Sequence, residues 1–124
     1  MRALAAALLL FVLQACGGAP QPATRVELAE FSVSVEHPVW KAGRIQLAVE
    51  NSGAFPHTLV VTTDDGTVVV ASPVLQPDEA IELDLDLEPG TYHLSCRLVV
   101  ETDDGMLVDH FQRGMHATVA VRGG

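Results

Sequence analysis

With 124 residues, 48% of them hydrophobic and only 5% aromatic, the chain can build one domain around a single modest core and no more. Seven Lys and Arg stand against sixteen Asp and Glu, a formal charge of −9. That balance excludes a nucleic-acid binder, because phosphate backbones are held through Lys and Arg.

The first segment is a leader. Met1 and Arg2 precede an almost wholly apolar run over residues 3–12, followed by Leu13-Gln14-Ala15-Cys16-Gly17-Gly18. A positive start, a hydrophobic region too short to span a bilayer and small residues at the end make a bacterial secretion signal. Leu13 and Ala15 before Cys16 resemble a lipobox, which implies removal of residues 1–15 and lipidation of Cys16. Gly17, in place of an acidic residue, then favours the outer membrane, reached through the periplasm. An ordinary signal peptide cut nearby is the plainer alternative. Residues 16–24, rich in Gly, Ala and Pro, read as a tether. Once Arg2 leaves with the leader, six basic side chains face sixteen acidic ones; the surplus serves solubility or steers a basic partner.

From residue 25 onward the hydrophobic period is two. Val26 and Leu28 share a face, and Phe31, Val33 and Val35 continue in the opposite parity, which predicts a bulge or bend near Ala29 and Glu30. Ile45, Leu47 and Val49 alternate next. Asn51-Ser52-Gly53-Ala54-Phe55-Pro56 is a turn, after which His57 opens the β-branched run Thr58-Leu59-Val60-Val61. Residues 81–88 alternate strictly between aliphatic and acidic side chains, a strand with one buried and one solvated face. Tyr92, Leu94, Cys96 and Leu98 share a face, as do Met115, Ala117, Val119 and Val121. Lys41-Ala42-Gly43, Asp64-Asp65-Gly66, Gln76-Pro77-Asp78 and Glu88-Pro89-Gly90 supply turns between the runs. Seven to eight short strands with no helical period predict an all-β, Greek-key β-sandwich. Trp40 and Phe31 read as core, His93 as a surface residue and His37 as a loop residue.

Residues 97–109 carry two apolar arms around Asp103-Asp104-Gly105, a hairpin signal. A three-residue loop would set Thr102 opposite Met106 and run the pairing down to Leu98 opposite His110. His110 would then lie two positions along the ladder from Cys96, about 7 Å away at 3.3 Å per residue. Val60 to Gly66 echoes Val99 to Gly105, as two similar hairpin tips would.

Four side chains carry chemistry. His57, Cys96, His110 and Met115 offer two imidazoles, a thiolate and a thioether, the donor set of a blue-copper electron-transfer site. Each has a structural alternative: Cys96 as a small buried hydrophobe, His57 as a turn residue, Met115 as core, and His116 as a substitute for His110. Cys16 closes the leader, so Cys96 is left without a disulfide partner. A free exported thiol is liable to oxidise, and metal ligation would account for its presence.

Asn-x-Gly followed by Pro-His at residues 51–57, Pro-Gly-Thr-Tyr leading to Cys at 89–96, and His-x4-Met with Gly before the Met at 110–115 together resemble the cupredoxin family over residues 25–122. The resemblance implies a cupredoxin domain over residues 25–124 that binds one type 1 copper ion. It implies His57, Cys96 and His110 as equatorial ligands, Met115 as the axial one, and Thr58 supporting the site by a hydrogen bond. It implies a monomer that passes single electrons between redox proteins. The family places only a few residues between the Cys and the second His; here thirteen intervene, residues 97–109. With Leu98, Val100 and Val108 beside His110 and Asp103 and Asp104 at its tip, this hairpin reads as part of a docking surface for a basic partner; a surface excursion without a role is the plainer alternative. No enzyme is expected. There is no His-x-His pair for further copper, no pair of cysteines three apart for a dinuclear centre, and no nucleophile elbow. The reading is a membrane-tethered periplasmic electron carrier. The alternatives are a copper-delivery protein without redox turnover and an interaction module whose metal site has lapsed.

Overall fold

Alternating apolar and polar residues can bury one face of a strand while the other stays wet, and most strands among the described residues are built that way. A computed structural model describes residues 22–123; the 1–15 leader and Cys16 lie outside the described residues. Eleven strands form: β1 (Thr24–Ala29), β2 (Ser32–Val35), β3 (Val39–Lys41), β4 (Gly43–Asn51), β5 (Val60–Thr63), β6 (Val68–Ala71), β7 (Ala80–Leu87), β8 (Gly90–Ser95), β9 (Val99–Glu101), β10 (Leu107–Asp109) and β11 (His116–Arg122). No helix occurs among the described residues.

One sheet has the order β2-β1-β4-β7, the second β3-β11-β8-β5-β6, and β9 with β10 forms a separate hairpin. Inward-facing Val26, Leu28, Leu47 and Val49 of the first sheet meet Val61, Leu94, Val119 and Val121 of the second in one core. Each such side chain, taken from water into the core, contributes about 1.5–3 kcal/mol. Tyr92 packs in that core and donates its hydroxyl to the Glu88 carbonyl at 2.9 Å, fixing the corner where the chain crosses between sheets. Trp40 is buried and donates its Nε1–H to the His37 carbonyl at 2.8 Å. Phe31 is half-buried against the same core.

The parity change after Leu28 has a different origin from the expected bulge. Glu30 and Phe31 form a tight turn, and β1 and β2 pair antiparallel with Ala29 opposite Ser32 and Leu28 opposite Val33. Reversal across a two-residue turn puts an even-numbered residue opposite an odd one, so both parities point into the core. This turn, the short β3 and the β9–β10 hairpin raise the strand number above seven to eight.

One relationship in the second sheet positions everything that follows. β8 lies between β5 and β11 and runs antiparallel to both, with Ser95 paired to Val60 on one side and to His116 on the other. The end of β8 therefore emerges between the beginnings of two strands. Whatever follows Ser95 is thrown together with whatever precedes Val60 and His116.

Candidate metal centre

Cys96 follows Ser95, His57 precedes β5 and Met115 precedes β11, so strand order alone gathers three of the four sequence candidates. The loop from β4 is pinned by Asn51, which is fully buried. Its Nδ2 donates to the carbonyls of Phe55 at 2.8 Å and Leu75 at 2.9 Å, and its Oδ1 accepts the Gly53 N–H at 2.9 Å. His57 then exchanges two backbone bonds with Leu75, 3.0 Å outward and 2.8 Å in return.

His110 arrives by the hairpin. β9 and β10 pair Glu101 with Leu107 and Val99 with Asp109, and the His110 N–H donates to the Leu98 carbonyl at 3.1 Å. The ladder follows the register that the Asp-Asp-Gly turn suggests. Met115 donates its N–H to the His110 carbonyl at 3.1 Å and accepts that of Cys96 at 3.0 Å. Gly114 makes the turn between them at φ +108°, in the left-handed region that favours glycine. Phe31 sets its ring edge-on to His110, with centroids 5.5 Å apart.

The donor atoms converge. Nδ1 of His57 lies 3.1 Å from Nδ1 of His110, and Sγ of Cys96 lies 3.6 Å from the latter. One ligand atom from each of the three residues falls within 4.8 Å of the others, and all three residues are buried. Cys96 is a free cysteine. Thr58 donates its N–H to Sγ of Cys96 at 3.4 Å, with Oγ1 at 3.7 Å. Met115 is fully buried and is bonded through its backbone to both Cys96 and His110. His116 points away, exposed, its ring tilted against Phe111 at 5.2 Å between centroids, while the Arg97 guanidinium lies 3.9 Å over Phe111. His93 bonds Asp64 at 2.9 Å and Thr118 at 3.2 Å on the sheet surface.

Glu30 was not among the sequence candidates. Its Oε1 lies 2.9 Å from Nε2 of His57 and accepts the Phe55 N–H at 2.9 Å. Desolvation pushes its pKa up, but the backbone N–H groups of Phe55 and Ala54 and the bond to His57 outweigh it and hold the pKa at about 2. A lone acidic residue in a turn gives no periodic signal of a contact 27 positions away. Burial, and secondarily the neighbouring His57, lower the pKa of His110, against smaller opposing effects of Asp109 and Glu30. Two Nδ1 lone pairs cannot face each other at 3.1 Å without a proton or cation between them. With Nε2 of His57 donating to Glu30, the hydrogen-bond network assigns His57 Nδ1 as an acceptor. Neutral imidazoles and a thiol that can lose its proton are the state in which a metal is taken up.

A buried His2Cys set with a methionine beside it, at one end of a β-sandwich, defines a mononuclear soft-metal centre of the kind copper fits. The chain belongs to the cupredoxin-like domain family, whose sequence profile matches residues 2–108, a span that takes in His57 and Cys96 and ends short of His110. Its fold is similar to that of auracyanin from Roseiflexus castenholzii, with 16% identity, a TM-score of 0.57, and coverage of 79% of this chain and 94% of that one. Auracyanin A of Chloroflexus aurantiacus, described as a "blue" copper protein, shares 14% identity at a TM-score of 0.57, covering 79% and 96%. A reduced variant of amicyanin gives 19% identity and a TM-score of 0.52, covering 84% and 86%. Comparison with curated proteins found no match.

Proposed function

We propose that this protein is a type 1 copper protein that carries single electrons between redox partners, tethered in the periplasm to the outer membrane through a lipid on Cys16. The observation that carries the reading is the convergence of ligand atoms from buried His57, Cys96 and His110 within 4.8 Å. A similar fold occurs in a "blue" copper protein and in a variant of amicyanin described as a Cu(I) form. When bound, copper supplies a one-electron couple that a His2Cys set with a weak axial sulfur accommodates in both oxidation states.

The chain's own contribution is rigidity and exclusion of water. His57 is locked by its two bonds to Leu75, Cys96 by its bond to Met115, and His110 by its bond to Leu98, so little has to move when charge arrives. The Thr58 N–H points at Sγ of Cys96 and disperses the negative charge the sulfur carries as a thiolate. Met115 would provide the axial thioether. A groove of about 300 Å³, mostly apolar, is walled by Phe31, Phe55, Pro56, Val100 and Val108 together with Thr102, His110 and the cationic Arg113. It receives the redox partner, and Asp103 and Asp104 at the hairpin tip steer that partner's basic residues.

Adding Cu(II) to the purified domain beginning near Ala19 tests the centre. An intense blue or green band that Cys96→Ser abolishes is expected; a colourless copper-loaded wild type overturns the reading. Fractionation tests the tether: the native protein should partition with membranes, and Cys16→Ser should release it.

A further inference from the structure

His57 is wholly enclosed, and its Nε2 meets Glu30 Oε1 at 2.9 Å. Glu30 comes from the turn between β1 and β2, in the opposite sheet. Its carboxylate also accepts the Phe55 N–H at 2.9 Å, so it ties the loop that delivers His57 as well as the ring itself. The glutamate side chain is 27% exposed, a charge at the boundary of the core rather than an ion sealed within it. The recess it occupies exists only because residue 53 is glycine: a Cβ there would stand 2.3 Å from Glu30 Oε1 and 2.9 Å from Oε2. The hydrogen bonds and the space left by Gly53 point independently to a built position for this carboxylate.

We propose that Glu30 is a positioning residue of the metal centre, its carboxylate holding His57 with the proton on Nε2 and Nδ1 turned toward the ion, and placing a negative charge one ring away from it. The proposal rests on the reading of the centre as a copper site. A carboxylate that accepts the far N–H of a ligating imidazole fixes its tautomer and makes the ring a stronger donor. The more highly charged Cu(II) gains more from such a ring than Cu(I) does. Glu30 therefore biases the centre toward its oxidised state.

Two variants separate position from charge. Glu30→Gln retains an oxygen able to accept from Phe55 and His57 but removes the charge. Gly53→Ala retains the charge but drives the carboxylate out of its recess, because the flexible glutamate yields before the backbone does. In metal-free protein, nitrogen-15 NMR should show a slowly exchanging His57 Nε2–H in the wild type and in Glu30→Gln, lost in Gly53→Ala. With copper, Glu30→Gln should lower the ratio of Cu(II) to Cu(I) affinity about tenfold, near the lower end of effects seen for such partners. Gly53→Ala should weaken binding of both oxidation states. A wild-type affinity ratio in Glu30→Gln would overturn the charge role, and a retained Nε2–H signal in Gly53→Ala would overturn the positioning role. If Gly53→Ala does not fold, Glu30→Ala, which removes the acceptor without crowding residue 53, replaces it, and a retained Nε2–H signal there would overturn the positioning role. A wild type that binds no copper would overturn the centre itself, whereas the metal-free spectra test the Glu30–His57 bond without any metal.

Discussion

Nδ1 of His110 lies 3.6 Å from Sγ of Cys96 although fourteen positions separate the two residues. The chain between them runs out along β9 and back along β10, and each outgoing residue is matched by a returning one until Leu98 meets His110. A paired excursion adds length without adding displacement. The spacing between Cys and His in sequence therefore says little about their spacing in the site, provided the hairpin register holds.

That placement leaves Met115 as the donor whose contribution is best tested by substitution. Met115→Leu conserves volume in a fully buried position, and such swaps cost less than about 1.5 kcal/mol. The proposed axial bond is weak, so the colour should remain. Losing the thioether withdraws a donor from Cu(II), and the reduction potential should rise. Spectroscopy and redox titration of the variant check both; loss of colour with the fold intact would assign Met115 a stronger role than an axial one.

Much of this was legible in the sequence, for identifiable reasons. The strict alternation of residues 81–88 became β7, and the Asp-Asp-Gly turn set the hairpin register, because both are local signals with a fixed period or loop length. The Asn-x-Gly turn before His57 was visible as a turn, but not the three bonds by which Asn51 ties it together. The reversal at Glu30 and Phe31 reads in the sequence as a bulge or bend, since a bulge and a two-residue turn produce the same change of parity. Glu30 itself was invisible: its bond to His57 depends on how the two sheets stack, which no window of sequence encodes.

Asn51 offers a test of stability that does not depend on the metal. Replacing it with Leu leaves the Phe55 carbonyl and the Gly53 N–H without their Asn51 partner, while the Leu75 carbonyl keeps only the His57 N–H. An orphaned buried group costs roughly 1–3 kcal/mol, and water can reach part of this loop, so a loss on the order of 2–3 kcal/mol is expected. Denaturant unfolding of the metal-free protein measures it. A change under about 0.5 kcal/mol, the range of ordinary surface substitutions, would show that backbone pairing to Leu75 holds the loop unaided.

The turn at Asp65 should give the fold an acid-sensitive element. The Thr63 hydroxyl, then the side chain and backbone of Thr67, hold the Asp65 carboxyl below its ordinary value of 3.8. A carboxyl whose folded pKa is depressed stabilises the fold above its unfolded pKa and loses that contribution as pH falls through the folded value. Asp65→Asn should therefore lower the urea midpoint at pH 7 and converge on the wild type as pH falls below 3.8. An equal deficit at both ends of that range would place the effect in turn geometry rather than charge.

The hairpin itself is the element on which partner recognition is proposed to turn. Val99, Val100, Met106 and Leu107 are exposed, although a surface strand pair normally presents polar side chains to water. Val100 and Val108 also wall the groove above His110. At the tip, the Thr102 hydroxyl and the Met106 N–H hold the Asp104 carboxyl below its usual range, so the acidic end stays charged well into acid. Replacing residues 98–109 with a short linker that preserves the reach from Cys96 to His110 should leave a coloured site, because none of the proposed ligands lies in the removed segment. Electron transfer to the native partner should slow several-fold and lose part of its dependence on salt, since the acidic tip is gone. Stopped-flow rates across ionic strength measure both. If the shortened protein matches the wild type at every salt concentration, the hairpin is an excursion that the sandwich tolerates, and docking belongs to Phe31, Phe55 and Pro56 alone.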